Sequence, residues 1–184
     1  MDEQEAILRL KQGDLGGLEV LVNRYQTRAV RTAYLITGDA ALAEDIVQEA
    51  FVRAYRLVRG FQAGRPFEPW FLRSVVNASI KAMQKARRQV QLGDEMDGQA
   101  FAEVLTRVRS PEAQVESAQL QSQVWESLNK LSARQRAVIV QRYFLEMSEK
   151  DMAARSNASP GTIKWLLHAA RDRLRILLAE RSDE

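Results

Sequence analysis

Residues 148–178, SEKDMAARSNASPGTIKWLLHAARDRLRILL, decide the fold. The run Ser148-Glu149-Lys150-Asp151 opens a short helix holding Met152 and Ala153, Ser156-Asn157-Ala158 forms a turn, and Ser159-Pro160 caps a longer helix. The apolar face of that second helix is Ile163, Leu166, Leu167, Ala170, Leu174 and Leu177. A short helix, a tight turn and a longer helix, with small Ala153 at the crossing and Ile163 and Leu167 beneath, form the pattern of a helix-turn-helix. Its second helix would enter a DNA major groove and present Thr162, Lys164, Trp165, His168 and Arg171, while Ser159 and the free amides at the helix start would meet a phosphate. The same spacing also fits a helical hairpin with a solvated charged face.

Upstream, the helical rhythm continues. Ser132 and Gln135 form a capping box before a helix with Val138, Ile139 and Tyr143, and Ser110-Pro111 starts one carrying Val115, Ala118, Trp125 and Leu128. Between 88 and 110, GDEMDG and scattered apolar residues show no period, which suggests a flexible linker. Nearer the N-terminus, Asp14 is expected to cap a helix with Leu18, Leu21, Val22, Tyr25 and Ala29, closed by Gly38. Asp39 opens the next, with Leu42, Ile46, Val47, Ala50, Phe51, Ala54 and Leu57 on its apolar side and Gly60 at its end. Pro66 and Pro69 precede a long helix with Trp70, Phe71, Val75, Val76, Ile80 and Met83. Alternating β-branched runs are almost absent. The expected fold is all-α, with two small helical domains at 1–88 and 111–184 joined by a linker at 89–110.

Composition narrows the function. Apolar residues at 46% and charged residues at 28% are ordinary globular usage, so a core can be buried. No apolar run approaches the roughly 18 residues that span a bilayer, and the acidic start MDEQEAILRLKQGD lacks a secretory profile, so a cytoplasmic protein without membrane insertion is expected. Few residues follow Leu178, so no appended sensory domain is expected. The absence of cysteine excludes disulfides, thiol catalysis and most zinc sites; only His168 offers an imidazole, and no cofactor is expected. Glu44, Asp45 and Glu49 have no further ligand cluster nearby to complete a metal site, so no enzyme is expected.

The net charge of +3 is modest but unevenly placed. Between 69 and 93 there are five cations, Arg73, Lys81, Lys85, Arg87 and Arg88, and no acid, a candidate phosphate-facing surface. Asp45, Gln48, Glu49 and Val52 fall at i, i+3, i+4 and i+7, a mixed stripe that suits either partner docking or plain solvation. Phe61, Phe67, Trp70 and Phe71 bracket the loop GFQAGRP beside the basic helix, where aromatics stack on unpaired bases or pack in a core; Phe67 and the polar loop residues are the expected base contacts.

Together these residues resemble the extracytoplasmic-function sigma factors, small initiation factors of bacterial RNA polymerase. Three stretches in order carry the resemblance: GDAALAEDIVQEAFVRAYR, similar to the core-polymerase-binding segment; FEPWFLRSVVNASIKAMQKARR, similar to the promoter-melting and minus-ten-reading helix; and the helix-turn-helix, extended upstream to Leu131, similar to the minus-thirty-five reader. The resemblance implies that Asp45, Gln48, Glu49 and Val52 contact core polymerase through its beta and beta-prime subunits. It also implies that Asn77, Gln62, Arg65 and Phe67 hold flipped-out minus-ten bases, with Arg73, Lys81, Lys85, Arg87 and Arg88 on the DNA. Ser159, Thr162, Lys164, Trp165, His168 and Arg171 would read the minus-thirty-five element, and a dedicated anti-sigma factor is implied as regulator.

Against the family pattern, Trp165 and Leu166 stand where a small polar residue and an arginine are usual, Ala169 replaces another usual arginine, and Lys81 stands where an acid is common. Fewer cations therefore face the groove, and Trp165 and Leu166 are open to three readings: contact with thymine methyls, burial against a partner, or weak minus-thirty-five binding. The rival class is an ordinary helix-turn-helix repressor or activator, which binds duplex DNA without polymerase.

Overall fold

A computed structural model describes residues 1–62, 64–89, 114–156 and 158–179, with the side chains of 87–89 and 114–121 outside the description. Among the described residues every regular element is helical. Two compact units divide the chain, Met1–Ser79 and Ile80–Glu184, the division falling within one continuous helix.

The first unit begins with a helix that sequence reading did not place. In α1 (Glu3–Lys11) the Asp2 carboxylate accepts from the Glu5 amide at 2.8 Å, with acids in the first turn and Arg9 and Lys11 in the last, as the helix dipole favours. Its buried side is Ala6, Ile7 and Leu10, which lies on α2 (Gly16–Thr37). Gly17 makes that approach possible: a Cβ there would stand 2.9 Å from the Leu10 nitrogen and closer still to the Ala6 carbonyl. Asp14 does not cap α2 as expected. Leu15 holds the N-cap position, and Asp14 instead accepts from the Gly16 amide at 2.8 Å in the turn before the helix.

Gly38, at φ +79°, ends α2 in the left-handed conformation that glycine adopts without Cβ strain. Asp39 then caps α3 (Ala40–Leu57) by accepting from the Leu42 amide at 3.0 Å. A 3₁₀ turn at Val58–Gly60 leads to the loop before α4 (Phe67–Gln89), so Pro66 precedes α4 while Pro69 sits in its first turn, where no intrahelical N–H is needed. Phe67, Phe71, Leu72, Val75 and Val76 face inward from α4. Phe71 stacks 5.5 Å from Phe67 and 4.3 Å from Phe51 of α3, joining the helices through aromatic packing.

In the second unit, α5 (Gln114–Asn129) buries Trp125 and Leu128, and Ser132 with Gln135 makes the expected capping box at the start of α6 (Ala133–Ile139). A π turn at Val140–Phe144 follows. The wider turn carries Tyr143 off the apolar face where the sequence placed it, and its side chain is 60% exposed. Arg136 is buried and donates to the Asn129 carbonyl at 2.7 Å; desolvation pushes its guanidinium down to about 10, which leaves it charged at neutral pH. Ser148 caps α7 (Glu149–Ser156), Ser159 caps α8 (Pro160–Ala179), and Met152, Ala153, Ile163, Leu167 and Ala170 fill the space between them as the sequence indicates. The linker at 89–110 and the Ser110-Pro111 helix start lie outside the described residues, apart from Gln89 at the end of α4.

Candidate polymerase and nucleic-acid interfaces

Three exposed surfaces carry the expected residues. On α3, Ala43, Ile46, Val47, Ala50, Phe51 and Ala54 are buried, so Asp45, Gln48 and Glu49 turn outward together. Val52 continues the stripe at 49% exposed and Tyr55 extends it at 39%, whereas Leu57, expected on the apolar side, lies on that side at the helix end and is 54% exposed there. Among the described residues no salt bridge neutralises Asp45 or Glu49. The stripe therefore offers two carboxylates at its N-terminal end, exposed Val52 and Tyr55 beyond them, and the exposed cations Arg53 and Arg56 toward its C-terminal end, a mixed surface that fits a partly apolar partner whose basic groups meet the carboxylates.

The second surface is the loop before α4 and the outer side of that helix. Gln62 and Arg65 are exposed in the loop. On α4, Arg73, Asn77, Lys81 and Lys85 are all exposed and recur every four residues, about 6 Å apart along the axis. Arg87 and Arg88 fall in the last turn of α4, with side chains outside the description. Phe67 corrects the sequence reading. It is fully buried, ringed by Tyr25 at 5.7 Å, Phe61 at 6.0 Å, Trp70 at 5.4 Å and Phe71 at 5.5 Å, so it cannot stack on a base without opening the core. Trp70 is the half-buried member of this cluster, its ring 5.1 Å from that of Phe61.

The loop's backbone is held by side chains of α1. Glu3 accepts from the Phe67 amide at 3.1 Å and also from the Tyr25 hydroxyl; burial, then that bond to a carboxylate, pushes the Tyr25 phenol well above its ordinary range. Gln4 accepts from the Gly64 amide at 3.1 Å, and the Lys11 ammonium donates to the Phe61 carbonyl at 2.6 Å. Nothing local in the sequence marks these partners, which lie 50 to 64 residues apart.

The third surface is α8. Ser159 accepts from the Thr162 amide at 3.1 Å, and the two hydroxyls lie 2.9 Å apart, so both side chains begin the helix as a capped pair. Beyond them Lys164, Trp165, His168 and Arg171 are exposed, Trp165 at 67%. Arg171 donates through Nε to the Tyr143 hydroxyl at 3.0 Å, with its guanidinium 5.8 Å from that ring's centroid. Asp172 lies 2.6 Å from His168 Nδ1 and 3.1 Å from Arg175, so one acid restrains two of the helix's outward groups.

Among the described residues no group of three or more His, Asp or Glu is placed to hold a metal ion, and no helix is long and apolar enough to cross a membrane.

Known proteins resemble this chain in sequence and fold. The family described as Sigma-70 region 2 matches residues 21–89, and that described as Sigma-70, region 4 matches residues 121–174. The chain is 30% identical over 176 residues to the ECF RNA polymerase sigma factor SigW of Bacillus subtilis, covering 94% of each protein. It is 26% identical over 178 residues to the ECF RNA polymerase sigma-E factor of Escherichia coli, covering 94% of this chain and 92% of the relative. Among solved structures it is similar to the sigma factor RpoE of Bartonella quintana, crystallised with the anti-sigma factor NepR, at TM-score 0.65 and 28% identity over 88% of this chain and 96% of that one. CnrH, in complex with the cytosolic domain of CnrY, shares the fold at TM-score 0.66 and 21% identity over 97% of both chains. The chain belongs to the extracytoplasmic-function sigma factors. It is accordingly an initiation factor that joins bacterial core RNA polymerase and directs it to promoter DNA, and its family is not a class of enzymes.

Proposed function

We propose that the three surfaces divide the work of initiation. Asp45, Gln48, Glu49 and Val52 of α3 dock on the beta and beta-prime subunits of core polymerase, with Tyr55 widening the apolar contact. Gln62, Arg65 and Asn77 receive extruded minus-ten bases, with Trp70 replacing Phe67 as the accessible aromatic, while Arg73, Lys81, Lys85, Arg87 and Arg88 hold phosphate. Extruding a base costs a few kcal/mol, so a surface that supplies polar edges and cations together is what promoter melting requires. Ser159, Thr162, Lys164, Trp165, His168 and Arg171 read the minus-thirty-five element. On this reading the domains run 1–88 and 111–184 with a connecting segment at 89–110, and the protein works in the cytoplasm without catalysing a reaction of its own.

The observation that carries the reading is the exposed Arg73, Asn77, Lys81 and Lys85 row on one helix, adjoining a loop that exposes Gln62 and Arg65. Control by an anti-sigma factor that covers both the polymerase- and DNA-binding faces is part of the proposal; an anti-sigma partner is supported by the likeness to RpoE, which was solved in complex with the anti-sigma factor NepR.

Paired variants test the division. Asp45→Lys with Glu49→Lys should remove binding to core polymerase while the helical circular dichroism is unchanged. Lys164→Ala with Arg171→Ala should keep polymerase binding and weaken output only from promoters that depend on a minus-thirty-five element. Unchanged polymerase binding in the first pair, or equal promoter output in the second, would refute the corresponding assignment.

A further inference from the structure

The loop that exposes Gln62 and Arg65 is fixed by a helix remote in sequence. Glu3, Gln4 and Lys11 of α1 reach its backbone through the Phe67 amide, the Gly64 amide, the Arg65 carbonyl, to which Gln4 Nε2 donates at 3.4 Å, and the Phe61 carbonyl. Gly64 holds φ +80° between these tethers, a conformation that glycine supplies without strain. Within the loop the Arg65 amide also donates to the Gln62 carbonyl at 3.4 Å, tying the two outward residues to one turn. α1 is itself seated by Ile7 and Leu10 and by Gly17 of α2, and Glu3 takes the Tyr25 hydroxyl as well as the loop amide. The tethers thus lead from the core, through α1, to the loop.

A segment that must grip an extruded base loses conformational freedom on binding unless it is ordered beforehand. Gln62 and Arg65 are themselves free to face DNA because backbone groups, not their side chains, carry the tethers. We propose that α1 is a splint for the base-reading loop, with Gln4 and Lys11 as positioning residues that set minus-ten discrimination without being base contacts. The inference rests on the reading of this loop as the minus-ten reader.

The test uses the full chain with core polymerase, on a promoter found from transcripts on genomic fragments and on versions with each minus-ten and minus-thirty-five base replaced. A base that is read is discriminated by roughly 5- to 150-fold. In Gln4→Ala and Lys11→Met, discrimination at the loop-read minus-ten positions should fall to about threefold or less, with polymerase binding and minus-thirty-five discrimination kept within about twofold. Gln4→Glu retains the acceptor for the Gly64 amide and should recover part of the loss, a rescue that general loosening of the fold would not show. Unchanged minus-ten discrimination in both alanine and methionine variants overturns the splint, as does an equal fall at both promoter elements. Should Lys11→Met fail to fold by circular dichroism, Gln4→Ala, at the surface, decides alone. If the unsubstituted protein yields no specific transcript, the reading of the loop itself fails, and the splint with it.

Discussion

Replacing Gly17 by alanine opposes two effects of known sign. In a helix with free space around it, glycine to alanine stabilises by about 0.5–1 kcal/mol, because alanine loses less backbone freedom on folding. At Gly17 the new Cβ meets backbone rather than a flexible side chain, standing 2.9 Å from the Leu10 nitrogen and nearer to the Ala6 carbonyl. Neither atom can rotate away, so α1 must retreat by roughly 1 Å, enough to forfeit a quarter to a half of its contact energy. Ile7 and Leu10 are 1% and 2% exposed. Their burial is worth about 1.5–3 kcal/mol each, so the retreat costs about 1–3 kcal/mol, the usual scale of overpacking. The clash therefore exceeds the gain in propensity, and Gly17→Ala should destabilise the first unit by about 1–2 kcal/mol, lowering its Tm by about 4–8 °C per kcal/mol. Thermal unfolding followed by circular dichroism, with hydrogen exchange at the Gly64 and Phe67 amides, measures both the loss and its reach into the loop. An unchanged or raised Tm would refute the close seating of α1 on α2.

Further substitutions probe the separate surfaces. Phe67→Ala should cost about 3–5 kcal/mol, as a core aromatic does, and a loss of promoter melting at unchanged Tm would return Phe67 to the DNA surface. Lys81→Ala and Lys85→Ala should each flatten the slope of log affinity against log salt by about one unit for promoter binding by the holoenzyme; unaltered slopes would remove these lysines from phosphate contact. Trp165→Ala should leave stability within about 0.5 kcal/mol, since the indole is exposed, while lowering discrimination at one minus-thirty-five base; equal discrimination would assign Trp165 elsewhere. Tyr143→Phe, which removes the hydroxyl that receives Arg171, should weaken minus-thirty-five-dependent output without changing polymerase binding, and full output would show that Arg171 needs no such anchor.

The legible parts of the fold were those written locally. Asp39, Ser132, Ser148 and Ser159 each bond an amide three residues on, so a cap is visible in a window of four residues. The period of buried residues in α3 and α8 likewise gave the outward stripes directly, and with them Asp45, Gln48, Glu49, Lys164, Trp165 and His168. Phe67 was misread because its flanks, Pro66 and Glu68, look like a loop, whereas the Tyr25 ring that covers it comes from α2 and is 42 residues away in sequence. Tyr143 was misread because the π turn shifts the helical period by one residue, which no residue type announces. Nor does Glu3 declare that it will serve the Phe67 amide 64 residues on; such pairing is set by how α1 packs, and only the structure reveals it.

The most direct measurement is transcription by purified bacterial core RNA polymerase on fragmented genomic DNA from the source organism, with and without this protein. New transcripts with defined starts, sharing upstream minus-ten and minus-thirty-five elements, are expected only when the protein is present. If no transcript appears while the protein alone shifts duplex DNA, the chain acts as a conventional helix-turn-helix regulator, and the polymerase-dependent division of its surfaces is wrong.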